Sequence, residues 1–329
     1  MDVGLTYDLR DDRPPHPDAA PDHYGEFDSQ ETIDYLEAAI VAVGHHVRRI
    51  GNIESLVQFL AEGESVDIVF NIAEGIWGRG REAQVPALLE AYQIPHVFSD
   101  QLTMALCLDK GMTKRLWQHA GLPTPDFCVV SDLSGLGQCL AQLPGLPVFV
   151  KPLHEGTSKG IDGGAVAGSI AGLRAQVAWV LDTYRQPALV ERCLRGPEFT
   201  VGILGNGSGA RVFGALQVEI LGTSGIYGFV QKEECEERVR YTPVESEALR
   251  NDLTELALRA YHVVECKDAG RVDVRLDLDG NPYLLEINPL PGLHPTHSDL
   301  PMMAPHAGVS YETLIATILD HAIARWELQ

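Results

Sequence analysis

Short apolar runs alternate with stretches of helical period over the first hundred residues. Val3-Gly4-Leu5-Thr6 and Val66-Asp67-Ile68-Val69-Phe70 read as strands, and the apolar spacing from about Thr32 to Val43 predicts a helix, so this region is a βαβ-like open sheet. Arg10 to Tyr24, rich in Asp, Pro and His, reads as a surface loop. A second stretch holds a helix near Lys110 to Ala120 stopped by Gly121 and Pro123, strands around Phe127 to Val130 and Val148 to Val150, a helix from Ile170 to Tyr184 and a strand at Ala188 to Glu191. A third mixes strands at Phe199 to Leu204, Arg211 to Val218 and Arg271 to Leu278 with helices near Glu245 to Val263 and Ser310 to Arg325. No repeat or low-complexity tract interrupts the pattern.

The sharpest pattern is Arg271-Val272-Asp273-Val274-Arg275-Leu276-Asp277-Leu278, in which charged and apolar residues alternate up to Asp279-Gly280, a two-residue type I′ turn. If Leu278 faces Asn281, then Asp273 lies opposite Glu286 and Arg271 opposite Asn288 on one face. The other face pairs Val272 with Ile287, Val274 with Leu285 and Leu276 with Tyr283. Facing carboxylates repel unless a cation lies between them. A hard divalent ion on oxygens of Asp273, Glu286 and Asn288 is one solution; a solvated face neutralised by Arg271 and Arg275 is the other.

A length of 329 residues accommodates two or three domains, and no stretch nears the ~20 apolar residues of a membrane span. The start, Met1-Asp2-Val3-Gly4-Leu5, lacks the pattern of a signal peptide, so the cytoplasm is the expected location. The cysteines at 107, 128, 139, 193, 235 and 266 have no metal-finger spacing and read as free buried thiols. A formal charge of −21 argues against nucleic-acid partners and requires that any anionic ligand meet placed Lys or Arg. No G-x-G-x-x-G opens the first helix, which removes a Rossmann dehydrogenase.

Leu285-Glu286-Ile287-Asn288-Pro289-Leu290-Pro291-Gly292 resembles the E-x-N-x-x-P-G signature of D-alanine:D-alanine ligases of the ATP-grasp superfamily. The likeness extends through Leu108 to Lys114, Val150-Lys151-Pro152, Glu155 to Gly160 and Val190 to Glu198, and is only loose in the first 60 residues. The implied fold is α/β (α+β): an N-terminal unit over 1–100, a central ATP-grasp subdomain over 101–192 with the glycine-rich loop, and a C-terminal one over 193–329 with metal and oxyanion residues, ATP lying between the last two. The implied activity joins a carboxylate to an amine through an acyl phosphate, with ATP, two Mg²⁺ ions (for which Mn²⁺ could substitute) and small-molecule substrates; the family is commonly homodimeric. A non-catalytic ATP-binding regulator is the competing reading, disfavoured because binding alone needs no oxyanion donor.

Residue by residue, the resemblance puts Lys110, Lys151, Gly156, Thr157, Ser158 and Lys232 at the phosphates, and Glu191, Leu194 and Glu198 at the adenosine. It puts Asp273, Glu286 and Asn288 at the metals, and Arg271 with the Gly292 N–H at the oxyanion, with Lys232 and Ser158 also in catalytic places. Glu26 and Ser298 are implied substrate residues. Departures cluster on this substrate side. The family segment H-G-x-x-G-E-D-G reads Glu74-Gly75-Ile76-Trp77-Gly78-Arg79-Gly80-Arg81, so Arg79 or Arg81 is either a site for an extra negative group or a solvated loop charge. Glu233 stands where the family has tyrosine, and Asp299 follows Ser298 in place of leucine. Both suit a cationic or carboxylate-free amine.

Overall fold

The computed structural model describes residues 1–12, 20, 22–221 and 239–328. The chain begins with β1 (Asp2–Thr6), α1 (Gln30–Ala42), β2 (His46–Gly51), α2 (Ile53–Ala61) and β3 (Ile68–Asn71). These make a parallel sheet of order β2-β1-β3. Ser29 and Asn52 cap the two helices by accepting from Thr32 N and Ser55 N. The sequence pattern gave no signal for β2, and the reason is local: it is an edge strand whose Arg48 and Arg49 point to solvent-side acids.

Three helices follow, α3 (Gln84–Ala91), α4 (Gln101–Leu108) and α5 (Lys110–His119), and lead into β4 (Phe127–Val130), α6 (Leu136–Leu140), β5 (Val148–Pro152), β6 (Val166–Ala167), α7 (Ile170–Tyr184) and β7 (Ala188–Arg192). The four strands form an antiparallel sheet of order β4-β7-β5-β6. A second antiparallel sheet, β10-β9-β8-β11-β12, is built from β8 (Glu198–Leu204), β9 (Arg211–Ile220), β10 (Val239–Pro243), β11 (Ala269–Leu276) and β12 (Pro282–Asn288). Helix α8 (Glu247–Val263) packs on it, and α9 (Asp299–Met302) and α10 (Tyr311–Arg325) close the chain.

The cores do not follow chain order. Leu314, Ile315, Ile318 and Leu319 of α10 are buried with Val3, Leu5, Leu36 and Phe70, so the C-terminal helix completes the core of the N-terminal sheet. Trp117 of α5 is fully buried against Tyr261, Val272 and Ile287, fastening the helix that starts at Lys110 onto the large sheet. Among the described residues no helix is long and apolar enough to cross a membrane.

Two expectations need correction. The β11–β12 connection is longer than Asp279-Gly280: Leu276 pairs with Pro282, and the Asp277 carboxylate accepts from Asp279 N at 3.0 Å and Asn281 N at 2.9 Å, closing a wider turn with Gly280 at φ +86°. Val274 therefore pairs with Leu284 and Arg275 with Tyr283. A bulge at Leu285 restores the expected register at Asp273–Glu286, Val272–Ile287 and Arg271–Asn288. Leu284, not Leu285, enters the core, and Tyr283 turns under the Arg192 guanidinium, 4.4 Å from its ring centre. Nor are all thiols free. Cys128 and Cys139 are joined, because β4 and α6 bring their Cα atoms to 5.4 Å. Cys107 and Cys266 are buried and free, Cys193 is half-buried and free, and Cys235 lies outside the described residues.

Candidate active site

Helix α5 begins at a residue with two duties. Asp109 accepts from Met112 N at 3.0 Å as the N-cap, so the helix starts at Lys110 and projects its side chain inward. Its other oxygen accepts from Arg79 Nε at 2.9 Å and lies 3.2 Å from His154 Nε2. Although burial works against it, these partners hold the Asp109 carboxyl below its ordinary range. Lys110 Nζ donates to the Glu155 carbonyl at 2.5 Å and lies 3.6 Å from Glu286. One turn on, Lys114 is fully buried and contacts Glu191 at 2.9 Å and the Thr124 hydroxyl at 2.8 Å. Lys114 went unassigned in the sequence, although its i,i+4 spacing from Lys110 puts both on one helix face.

Strand β5 carries Lys151, 3.1 Å from Glu191 and 3.9 Å from Glu286. Burial lowers a lysine's affinity for its proton, yet Glu191 and Glu286 more than offset this and hold Lys151 charged. Glu191 in turn is kept ionised against burial by Lys114 and Lys151. The carboxylate expected beside adenine is thus engaged by two lysines.

The loop after β5 is held from the N-terminal unit. Glu26 accepts from Gly156 N, from Arg81 Nη2 at 2.8 Å on both oxygens, and from Lys159 Nζ at 3.3 Å. Burial would raise its pKa, but Arg81 and Lys159 bring it down to about 2. A Cβ at Gly156 would lie 2.9 Å from the Glu26 carboxylate, so a side chain there would break this contact. The far end of the loop is tied by Gly160 N to Asp22 at 2.9 Å, with Tyr184 donating to the same carboxylate at 2.8 Å. Between these anchors Thr157 and Ser158 adopt φ of 48° and 56°, a left-handed pair that costs on the order of 1 kcal/mol each and is closed as a tight turn by Lys159 N donating to the Gly156 carbonyl at 2.9 Å.

On the hairpin, Arg271 donates to Asp273 from Nε at 3.1 Å and Nη2 at 2.9 Å, and to Asp299 from Nη1 at 2.6 Å. Tyr241 donates to the second oxygen of Asp299 at 2.7 Å. Asn288 Nδ2 is 3.4 Å from Asp273. Burial, with Glu286 and Asp299 near, raises the Asp273 pKa despite Arg271. On the same sheet Glu198 takes Arg275 at 3.0 Å, yet burial pushes it up to about 7.

These groups line two adjoining cavities. One, of about 410 Å³, is walled by Lys151, Ser158, Glu191, Leu194, Glu198 and Asp273, with Asp299 also on its edge. The other, of about 350 Å³, is walled by Glu26, Lys110, Gly156, Thr157, Asn288, Gly292 and Ser298. Arg271 and Glu286 are the residues common to both walls. Gly292 is close to Ser298, whose Oγ would lie 2.7 Å from a Cβ placed there.

The structure brings most of the expected residues to these walls and leaves others off. Arg79, with 66% of its side chain exposed, is spent on Asp109, and buried Arg81 is spent on Glu26 and the His154 carbonyl at 2.9 Å. Neither is among the residues lining these two cavities, and each is paired with an acid of the chain, where the sequence left open an extra anion site or a solvated loop charge. Asp299 is likewise committed to Arg271 and Tyr241 rather than offered to an amine. Lys232 and Glu233 lie outside the described residues. The sequence reading passed over Asp28 and Glu82, which line the second cavity together with Glu74; isolated acids in a loop carry no motif that would single them out.

Two antiparallel sheets meeting across a lysine-lined cleft, beside a third open sheet, make this an ATP-grasp fold. It superposes on a solved D-alanine–D-alanine ligase from Bacillus anthracis, complexed with ATP, at a TM-score of 0.75, covering 99% of each chain at 19% identity. The ligase from Coxiella burnetii superposes at 0.74, covering 99% of this chain and 95% of that one, also at 19% identity. The D-ala D-ala ligase C-terminus family matches residues 116–320. A D-alanine–D-alanine ligase of Stutzerimonas stutzeri is 36% identical over 289 residues, 87% of each chain, and one of Bordetella petrii is 33% identical over 82% of this chain and 80% of its own. An uncharacterized protein, y4sG, of Sinorhizobium fredii is 33% identical over 89% of this chain and 88% of its own. The chain belongs to the D-alanine–D-alanine ligase family. Its class of reaction is ADP-forming carboxylate–amine ligation, and the regulatory reading falls away.

Proposed function

We propose that ligation takes place at the seam between the two cavities. The observation that carries this is the sharing of Arg271 and Glu286 by both walls, which lets a phosphoryl group on one side meet a carboxylate on the other. ATP occupies the larger cavity, its adenosine toward Glu191, Leu194 and Glu198. Its phosphates lie toward Lys151, Lys110, Thr157 and the Ser158 hydroxyl, the Gly156 N–H being held by Glu26.

Asp273, Glu286 and Asn288 fit a pair of hard divalent ions: they supply oxygen donors on one face, and burial already disfavours the Asp273 charge in the absence of a second cation. Mg²⁺, or Mn²⁺ in its place, supplies neutralisation of phosphate charge. A substrate carboxylate oxygen attacks the γ-phosphorus and the bond to ADP breaks. The amine nitrogen then attacks the acyl carbon, the bond to phosphate breaks, and the amine proton passes to solvent. Arg271 and the Gly292 N–H face the oxyanion formed on the way, while Ser298 supports the Gly292 turn and accepts from His294 N at 3.0 Å. D-Alanine, named for the relatives, is the first acid and amine to test.

Incubating the protein with Mg-ATP, hydroxylamine and a panel of amino acids tests this reading. Hydroxamate together with ADP is the expected product pair. ADP without hydroxamate from every acid would sink the acyl-phosphate route.

A further inference from the structure

We infer that the cavity beyond the Arg271–Glu286 seam takes an amino acid with a positively charged side chain, received by Glu74 and Glu82. This rests on the ligase reading and names the substrate class of its second cavity.

Glu82 sits on the cavity wall with 8% of its surface exposed, and among the described residues it has no hydrogen bond or ion pair. Glu74, half-buried on the same wall, has none either. The cations close by are engaged elsewhere: Arg81 by Glu26, Arg79 by Asp109, Lys110 by the Glu155 carbonyl and Glu286, Arg271 by Asp273 and Asp299, and Arg10 by the Gly25 and Phe27 carbonyls beside Asp28. Asp28 and Glu31 lie on the same wall, Asp28 beside Arg10 and pushed up to about 7 by burial. A buried carboxylate with no partner is costly to the fold. Two of them on one open wall are explained by a ligand that brings the missing cation.

The electrostatics agree with the geometry. Burial, set against Arg81, pushes Glu82 up to about 7; burial and the neighbouring Glu82 raise Glu74 well above the carboxylate range. Dry surroundings hold both acids back from ionising, with Glu82 and Glu26 adding to this at Glu74, and Glu26 and Glu155 adding to it at Glu82 against Arg81 and Lys110; an ammonium or guanidinium group placed beside them opposes these effects. Alanine brings only the α-ammonium that every amino acid shares, and its methyl side chain adds no charge for a second acid.

The test uses matched substrate pairs of nearly equal shape, lysine with norleucine and arginine with citrulline, in both configurations, each with Mg-ATP and hydroxylamine. The charged member of a pair should be used with a KM at least about tenfold below its neutral mate, the scale set by one desolvated charge pair. Glu82→Gln and Glu74→Gln should raise the KM of the charged member and leave that of the neutral mate and kcat in place, closing the gap. Equal KM values within every pair, or variants that move both members alike, overturn the inference while hydroxamate formation leaves the ligase reading standing. Absence of hydroxamate and ADP from every acid overturns the ligase reading and this inference with it.

Discussion

Asp299 accepts a 2.6 Å hydrogen bond from Arg271 Nη1, while Arg271 Nε and Nη2 are taken by Asp273, so a single guanidinium is braced from α9 and β11 together. An oxyanion donor must be aimed before the charge develops, and a brace on two sides does this. Arg271→Ala should lower kcat by ~10²–10³, the usual loss for one such donor. Asp299→Asn should lower kcat by about tenfold, more than it changes KM for ATP, since its main effect is to misaim Arg271. Steady-state kinetics decide it; a native kcat in Asp299→Asn would take the aiming role away from Asp299.

Glu26 joins the N-terminal unit to the glycine-rich loop through buried groups, and its removal should be felt as stability. Its folded pKa of about 2 lies below the ordinary 4.5, so its contribution is full above about pH 4.5 and is lost as pH falls through 2. Glu26→Gln leaves the buried Arg81 with only Glu155, 3.7 Å away, and should cost about 3 kcal/mol at pH 7, less at pH 3. Urea unfolding at the two pH values checks it. A cost that does not shrink at low pH would trace the loss to packing instead of charge.

What could be read from the chain beforehand follows from the distance over which each feature is determined. Asp273 and Glu286 were placed opposite one another because alternation sets a strand's faces within a few residues. The wide Asp277 turn and the Leu285 bulge, equal and opposite register errors, could not be seen, since a carboxylate capping its own turn competes with the Asp-Gly signal. Lys110 and Lys151 stood out by motif. Arg81 did not read correctly because its partner Glu26 is 55 positions earlier, and a charge whose partner is remote looks available in sequence. Trp117 shows the same limit for packing: its indole donates to the Ala260 carbonyl 143 positions later at 3.4 Å.

The hairpin acids give a metal-removal experiment. Chelation with EDTA should abolish ADP formation, and Mg²⁺ or Mn²⁺ should restore it. Asn288→Ala, which keeps both carboxylates, should raise the Mg²⁺ concentration needed for half-maximal rate by ~10-fold without unfolding the chain, in line with the loss of one oxygen ligand. Activity that survives exhaustive chelation would remove the divalent ion from this face.

Glu82 makes the opposite stability prediction to Glu26. Its folded pKa of about 7 lies above the ordinary 4.5, so the folded chain holds this proton longer than the unfolded one. Stability is therefore unaffected by Glu82 below about pH 4.5, falls as pH rises from there to 7, and stays at its reduced level above. Glu82→Gln removes that cost, and should raise unfolding free energy by about 1–3 kcal/mol at pH 8 and by close to nothing at pH 4. A variant that gains stability while losing a charged substrate is what a residue kept for binding at the expense of the fold produces. Denaturant curves for native protein and variant at both pH values settle the matter: equal stability at pH 8 would mean that Glu82 already has its countercharge within the chain.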